Sequence, residues 1–179
     1  MGKIDLALYV KNSTKLDDPI LNKQLVDLFP FMRPRDAWSG KDLTTDPDFD
    51  WTWTLINEIP DGWRKAFGWR MLNELSAVMD SETFTDWEGE ELPLSENYYP
   101  IQIKEKFGEL RWYSNFYIEK IEEVIQKYQD LSRRTCVGCG RPARYISTGW
   151  ICPWCEYCAA DVKEKMFPIE DWFSEEEEK

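Results

Sequence analysis

Five cysteines crowd into one late stretch, as CVGC at Cys136 and Cys139 and as CPWCEYC at Cys152, Cys155 and Cys158. Two cysteines separated by two residues can point both sulfurs at one ion, and two such pairs make the four-thiolate tetrahedron of a structural zinc. One cysteine of the five is then spare, and two pairings compete. Cys136 and Cys139 combine either with Cys155 and Cys158 or with Cys152 and Cys155. The first choice leaves 15 residues between the pairs and the second leaves 12. Only the first lies inside the usual window for two CxxC knuckles. Local chemistry points the same way, because the residue after a knuckle's second cysteine must turn tightly for backbone N–H groups to face sulfur. Gly140 and Ala159 are small, whereas Glu156 would set a carboxylate beside an anionic cage. The expected Zn²⁺ ligands are Cys136, Cys139, Cys155 and Cys158, with Cys152 a free thiol and the Cys152/Cys155 pairing as the alternative.

Other chemistries find less in the chain. CPWC resembles the active-site motif of disulfide oxidoreductases, but such a motif follows an early strand of a βαβ unit, and none precedes it here. Histidine is absent, which excludes His-based triads, His zinc ligands and His acid–base catalysis. Asp46, Asp48 and Asp50 begin like a calcium loop, yet Trp51 and Asn57 stand where it needs Gly and Glu. Ser39 to Lys41 lacks the residues of a phosphate-binding loop. Glu105 and Glu109 are the one carboxylate pair worth weighing for hydrolysis, and acid-rich loops carry such pairs routinely. The segment 131–154 holds Arg133, Arg134, Arg141 and Arg144 and no acid. These arginines either balance the charge of a four-thiolate zinc or form a basic face for nucleic acid or an acidic protein patch.

The elements that must position these groups follow from hydrophobic spacing. A helix is expected over 17–29, capped by Asp17 or Asp18 with Pro19 in its first turn and stopped by Pro30. Residues 31–59 read as irregular. A second helix is expected from Asp61 to Asp80, with Trp63, Phe67, Met71, Leu75 and Val78 on one face. Residues 81–97 read as an acidic loop. At Ile101 the period changes to two, and Ile101, Ile103, Glu105 and Phe107 alternate up to a turn near Lys106–Glu109. Phe107, Leu110 and Trp112 of this hairpin are expected to bury against the neighbouring helices. A third helix is expected from Phe116 to Arg134, then a short strand pair over 144–151 and a helix over 156–166. The fold class is α+β: helices packed on a short antiparallel hairpin, with a C-terminal zinc ribbon. The expected division is 1–57 as a variable N-terminal segment, 58–134 as the body, 135–166 as the ribbon and 167–179 as an acidic tail.

The chain of 179 residues carries a net charge of −12 and is rich in aromatics, with 10 Trp. A polyanion repels such a chain unless a basic face is well segregated, so nucleic acid is the less favoured partner. No stretch approaches the ~20 apolar residues of a membrane span. The start, MGKIDLALYVK, has too short an apolar run for a signal peptide, and Leu6 stands where myristoylation wants Ser or Thr. Reduced, clustered cysteines fit a cytoplasmic location. Trp51 and Trp53 alternate within an extended acidic segment, and exposed indoles of this kind are the anchors that protein partners grip.

The hairpin QIKEKFGELRWY at Gln102–Tyr113, the amphipathic helix after it, and CVGCGRPA with GWICPWCEYCA together resemble small proteins of bacteriophages and prophages. These carry a KEKFGxLR(W/F)Y hairpin, a helix and a CxxCG…CxxC zinc ribbon. The resemblance covers residues 58–160, including WRKAF at Trp63–Phe67, and Cys152 departs from its pattern. It implies viral origin, a bacterial host cytoplasm and a structural zinc at Cys136, Cys139, Cys155 and Cys158, with no activity attached. The reading that follows is a non-enzymatic protein binding a host or phage protein, with inhibition of a host defence system as its task. The alternatives are a nucleic-acid-binding accessory factor that uses the Arg-rich ribbon, and a carboxylate-dependent hydrolase.

Overall fold

The computed structural model describes residues 2–176; the end of the expected acidic run Glu175–Glu178 lies outside them. The N-terminal third supplies α1 (Lys3–Asn12) and α2 (Pro19–Leu28). Asp18 caps α2, accepting from the backbone N–H groups of Ile20 and Leu21, and Pro19 opens its first turn. Residues 29–60 make short 3₁₀ turns, as the scattered prolines and aspartates suggest. α3 (Asp61–Trp63) runs through a π-helical turn, Arg64–Gly68, into α4 (Trp69–Ser81). The acidic segment after it is more ordered than its composition suggests. β1 (Thr83–Thr85) and β2 (Glu91–Pro93) form a small hairpin, and α5 (Leu94–Asn97) follows.

β3 (Pro100–Lys106) and β4 (Glu109–Ser114) form the expected antiparallel hairpin, and α6 (Glu119–Arg133) packs against β4 and α4. One apolar cluster joins all these parts. It draws Leu6 and Val10 from α1, Leu25 from α2, Phe31 and Ile56 from the irregular stretch, and Trp63, Leu75, Leu110, Trp112 and Ile125 from the rest. Residues 1–57 thus share the core of 58–134. α1, which the sequence did not announce, is held through Arg64. That guanidinium is 2% exposed and donates to the carbonyls of Val10 (2.9 Å) and Thr14 (3.4 Å) while pairing with Asp61 at 2.7 Å. It satisfies carbonyls at the end of α1 and favours the negative end of the helix dipole.

Two expectations about the hairpin are corrected. Phe107 is 66% exposed, not buried, because it occupies the turn itself. Ile101 is 42% exposed, because the register slips between Pro100 and Gln102 and the bulge breaks the alternation. Leu110 and Trp112 are buried as expected.

The C-terminal module is a three-stranded antiparallel sheet, with β5 (Tyr145–Ser147) between β6 (Pro153–Trp154) and β7 (Met166–Pro168). α7 (Glu156–Ala159) lies between β6 and β7, and α8 (Ile169–Glu176) follows them. The helix expected over 156–166 therefore ends at Ala159, since the chain must return to lay β7 beside β5. The segment expected to be an acidic tail begins as strand and helix, with Ile169 buried.

Candidate metal centre

The first knuckle leaves α6 directly. The N–H of Cys136 donates to Arg141 O (2.8 Å) and that of Gly140 to Cys136 O (3.0 Å), closing a tight loop around Val137 and Gly138. Gly140 has φ +81°, a region that favours glycine, and a Cβ there would stand 2.5 Å from Gly62 O. The partner surface is equally close, for a Cβ on Gly62 would stand 2.1 Å from Cys136 O. The start of α3 is thus pressed onto the knuckle, backbone against backbone. Gly62 N–H donates to Val137 O (2.9 Å), and the indole of buried Trp63 donates to Thr135 O (2.8 Å). The second knuckle is the turn into α7, where Cys155 Sγ accepts from Cys158 N–H at 3.5 Å. Val137 N–H reaches Pro153 O (2.9 Å) and ties the two knuckles together.

The result is convergence of Cys136, Cys139, Cys155 and Cys158, whose four Sγ atoms all lie within 4.8 Å of one another. Cys139 Sγ and Cys155 Sγ are 3.5 Å apart. A zinc with ~2.3 Å bonds to sulfur holds its four thiolates about 3.8 Å from each other, so the cluster has the dimensions and donor set of such a site. Cys136 and Cys155 are buried and the other two are partly covered.

Burial pushes the thiols of Cys136 and Cys158 up. Burial also acts to raise Cys139, but hydrogen bonds from the backbone and guanidinium of Arg141 outweigh it and draw this thiol down to about 6. Arg141 Nε lies 3.4 Å from Cys139 Sγ, and its guanidinium sits 4.4 Å from the ring centre of Tyr157. One member of the basic run is thereby devoted to the thiolates. Arg133 instead pairs with buried Glu109 at 2.8 Å, where Arg111 joins at 3.2 Å.

Cys152 stands outside the cluster. Its backbone pairs with Ser147, whose hydroxyl accepts from its N–H at 3.1 Å and whose N–H donates to its carbonyl at 3.1 Å. Burial, with the charge of Glu105 beside it, pushes this thiol up to about 12. It is a protonated core residue, neither a ready ligand nor a ready nucleophile.

The tryptophans divide sharply. Trp51 is partly buried, meets Phe49 edge-on at 5.0 Å and carries Lys23 at 5.2 Å. Trp53 is 38% exposed, with its indole N–H donated to Glu58 at 2.8 Å. The open indoles are Trp38 (98%), Trp87 (90%) and Trp150 (70%), which sequence reasoning did not single out as anchors. The dense Asp and Gly around Trp38 and Trp87 mark turns and were the available signal.

Two of the three loop aspartates are spent on their own backbone: Asp46 accepts from Asp48 N–H, and Asp50 from Thr52 N–H. Among the described residues, no helix is long and apolar enough to cross a membrane. Fold and centre together define an α+β protein with a four-cysteine cluster able to hold a metal ion. Comparison with known proteins finds no matching family model, characterised sequence or solved structure.

Proposed function

We propose that the chain is a non-enzymatic binding protein whose ribbon is organised by one structural zinc and whose exposed aromatics engage a protein partner. The observation that carries this is the convergence of four cysteine sulfurs, a donor set that around one zinc leaves no coordination position for water or substrate. A catalytic zinc keeps such a position open. The proposed ligands are Cys136, Cys139, Cys155 and Cys158. Trp53 retains an accessible ring edge, and Trp51 stiffens the segment that presents it. Following the resemblance to phage and prophage proteins, the proposed setting is the bacterial cytoplasm and the partner a host or phage protein. Inhibition of a host defence system is the proposed task. The engagement of Arg141 with Cys139 and of Arg133 with Glu109 weighs against a basic face built for nucleic acid.

The test has two readouts. Purified full-length protein carries one zinc per chain by elemental analysis, and Trp53→Ala weakens capture of the partner from host lysate without lowering that content. Absence of zinc overturns the ribbon. Submicromolar nucleic-acid binding that falls steeply with salt overturns the protein-partner reading.

A further inference from the structure

The tip of the β3–β4 hairpin is built in a way that folding alone does not explain. Phe107 and Gly108 both have positive φ, +55° and +79°. Gly108 suits that region, whereas a residue with a Cβ is crowded there, and two-residue hairpin turns ordinarily use Asn, Asp or Gly. Phe107 also holds its ring largely in solvent. A strained backbone that presents an exposed aromatic is a feature to be read for function.

The tip is held firmly. Gly108 lies against the ribbon, its Cβ position 3.5 Å from Ile151 O and from Pro153 Cδ. Glu105 Oε1 accepts from Gly108 N–H at 2.7 Å, and its Oε2 accepts from the Trp150 indole at 3.0 Å. One carboxylate therefore ties the hairpin turn to an indole of the ribbon. A second carboxylate, Glu164, accepts from the backbone N–H groups of Gly149 (3.0 Å) and Trp150 (2.8 Å). Between hairpin and ribbon lies an open cavity of about 290 Å³, lined by Glu105, Lys106, Phe107, Gly149, Trp150 and Ile151, with Glu164 bonded to the backbone of two of these residues.

We propose that this cavity receives a basic side chain, the ammonium of Lys or the guanidinium of Arg, from a protein partner. The proposal rests on the protein-partner reading above. Indole is the strongest aromatic face for a cation. The Lys106 ammonium already lies 5.4 Å from the Phe107 ring centre, whereas no ring–cation pair among the described residues involves Trp150. Glu105 accepts from the Gly108 N–H, the Trp150 indole and the Cys152 thiol, which leaves a carboxylate with about four acceptor positions one more to offer. Glu105 and Glu164 outnumber Lys106, and a chain at −12 draws cationic partners from a distance. Trp150 thus supplies the face, Glu105 the countercharge in the lining with Glu164 held against the Trp150 backbone, and Phe107 a further wall.

The experiment is a titration of ¹⁵N-labelled, zinc-loaded, full-length protein followed at the Trp150 indole signal, assigned by its absence in Trp150→Phe. Nα-acetyl-arginine amide is the probe and Nα-acetyl-citrulline amide its uncharged counterpart. The expected result is a saturating shift with arginine at about tenfold lower concentration than with citrulline, the ratio set by a cation–π contact of moderate strength. Glu164→Gln reduces that preference. Phe107→Asn, which suits the turn better and leaves the fold intact, raises the arginine half-saturation concentration. Equal binding of the two amides, or no saturable shift, overturns the proposal. A flat titration alongside partner capture that is unchanged in Trp150→Phe sinks the cavity and leaves the protein-partner reading standing. A selective titration with no captured protein does the reverse.

Discussion

The helical body and the ribbon solve the same problem with different means. The body buries Trp63, Phe67, Tyr98 and Tyr128 together with fifteen Leu, Ile and Val side chains, so its order comes from apolar area removed from water. Between Thr135 and Pro168 the buried apolar residues other than cysteine are only Ala143, Ile146 and Pro153. Strands of two or three residues around so little apolar area cannot hold themselves together, and four converging thiols stand where a core would otherwise be. With the proposed ion in place, the contrast predicts that ribbon order depends on that ion and body order does not, although the two share a backbone contact at Gly62 and Gly140.

The largest expected effect breaks the ribbon alone. Cys158→Ser, or a strong chelator, removes the metal and with it on the order of 10 kcal/mol of stabilisation from that module. Hydrogen exchange then rises across 135–168 while α4 and α6 stay protected. Uniform loss of protection would mean that the body also depends on the ion. Because burial raises the Cys136 and Cys158 thiols, the metal must displace their protons, so zinc affinity falls as pH falls.

Trp63→Ala tests the joint from the other side. It opens a large cavity and orphans Thr135 O, costing about 3–5 kcal/mol, and denaturant unfolding should show it. Zinc should remain bound, since no ligand is touched. Trp112→Ala should cost a similar amount, as its indole is 6% exposed and donates to Tyr98.

A smaller effect reports on the body only. Burial pushes Tyr98 from 10.0 to about 12. The protonated phenol is thus favoured by folding, so its contribution is fully present below pH ~10 and is lost as pH rises toward 12. Tyr98→Phe leaves the Trp112 indole N–H unpaired, costs about 1–3 kcal/mol at neutral pH and flattens the decline on the alkaline side. A pH series of chemical denaturation measures both. The smallest expected change is Cys152→Ser, which keeps the full metal content and shifts stability by about 1 kcal/mol. Loss of zinc from that variant would show that Cys152 is a ligand.

How much of this was legible in the sequence depends on how local the cause was. Ile121, Ile125 and Tyr128 at helical spacing announce α6, and Asp18–Pro19 announces the start of α2. CxxC spacing and the small residues after Cys139 and Cys158 single out the four cysteines that converge. What stayed hidden was set at long range. α1 sets Leu6 and Val10 beside Ala7 and an exposed Leu8, so no one-sided apolar stripe marks it, and its tether is a guanidinium more than 50 residues away. The return of 160–168 to form β7 depends on pairing with β5, which no local pattern encodes. Phe107 continued an alternation that a bulge and a turn had already ended.

The joint at Trp63 and Thr135 spans 72 residues of chain, and this bears on the order of assembly during synthesis. At ~5–20 residues per second, the ribosome delivers the Trp63 side of the contact some 4–14 s before the Thr135 side. During that interval the start of α3 is an unfilled socket, with the Gly62 N–H and the Trp63 indole unclaimed. The cysteines emerge after that surface, and β7 and α8 follow them, so metal capture on the proposed reading comes late in biogenesis. A nascent chain stalled before Cys136 should expose that socket to solvent and to chaperones, while a released chain starved of zinc should seal it only partly.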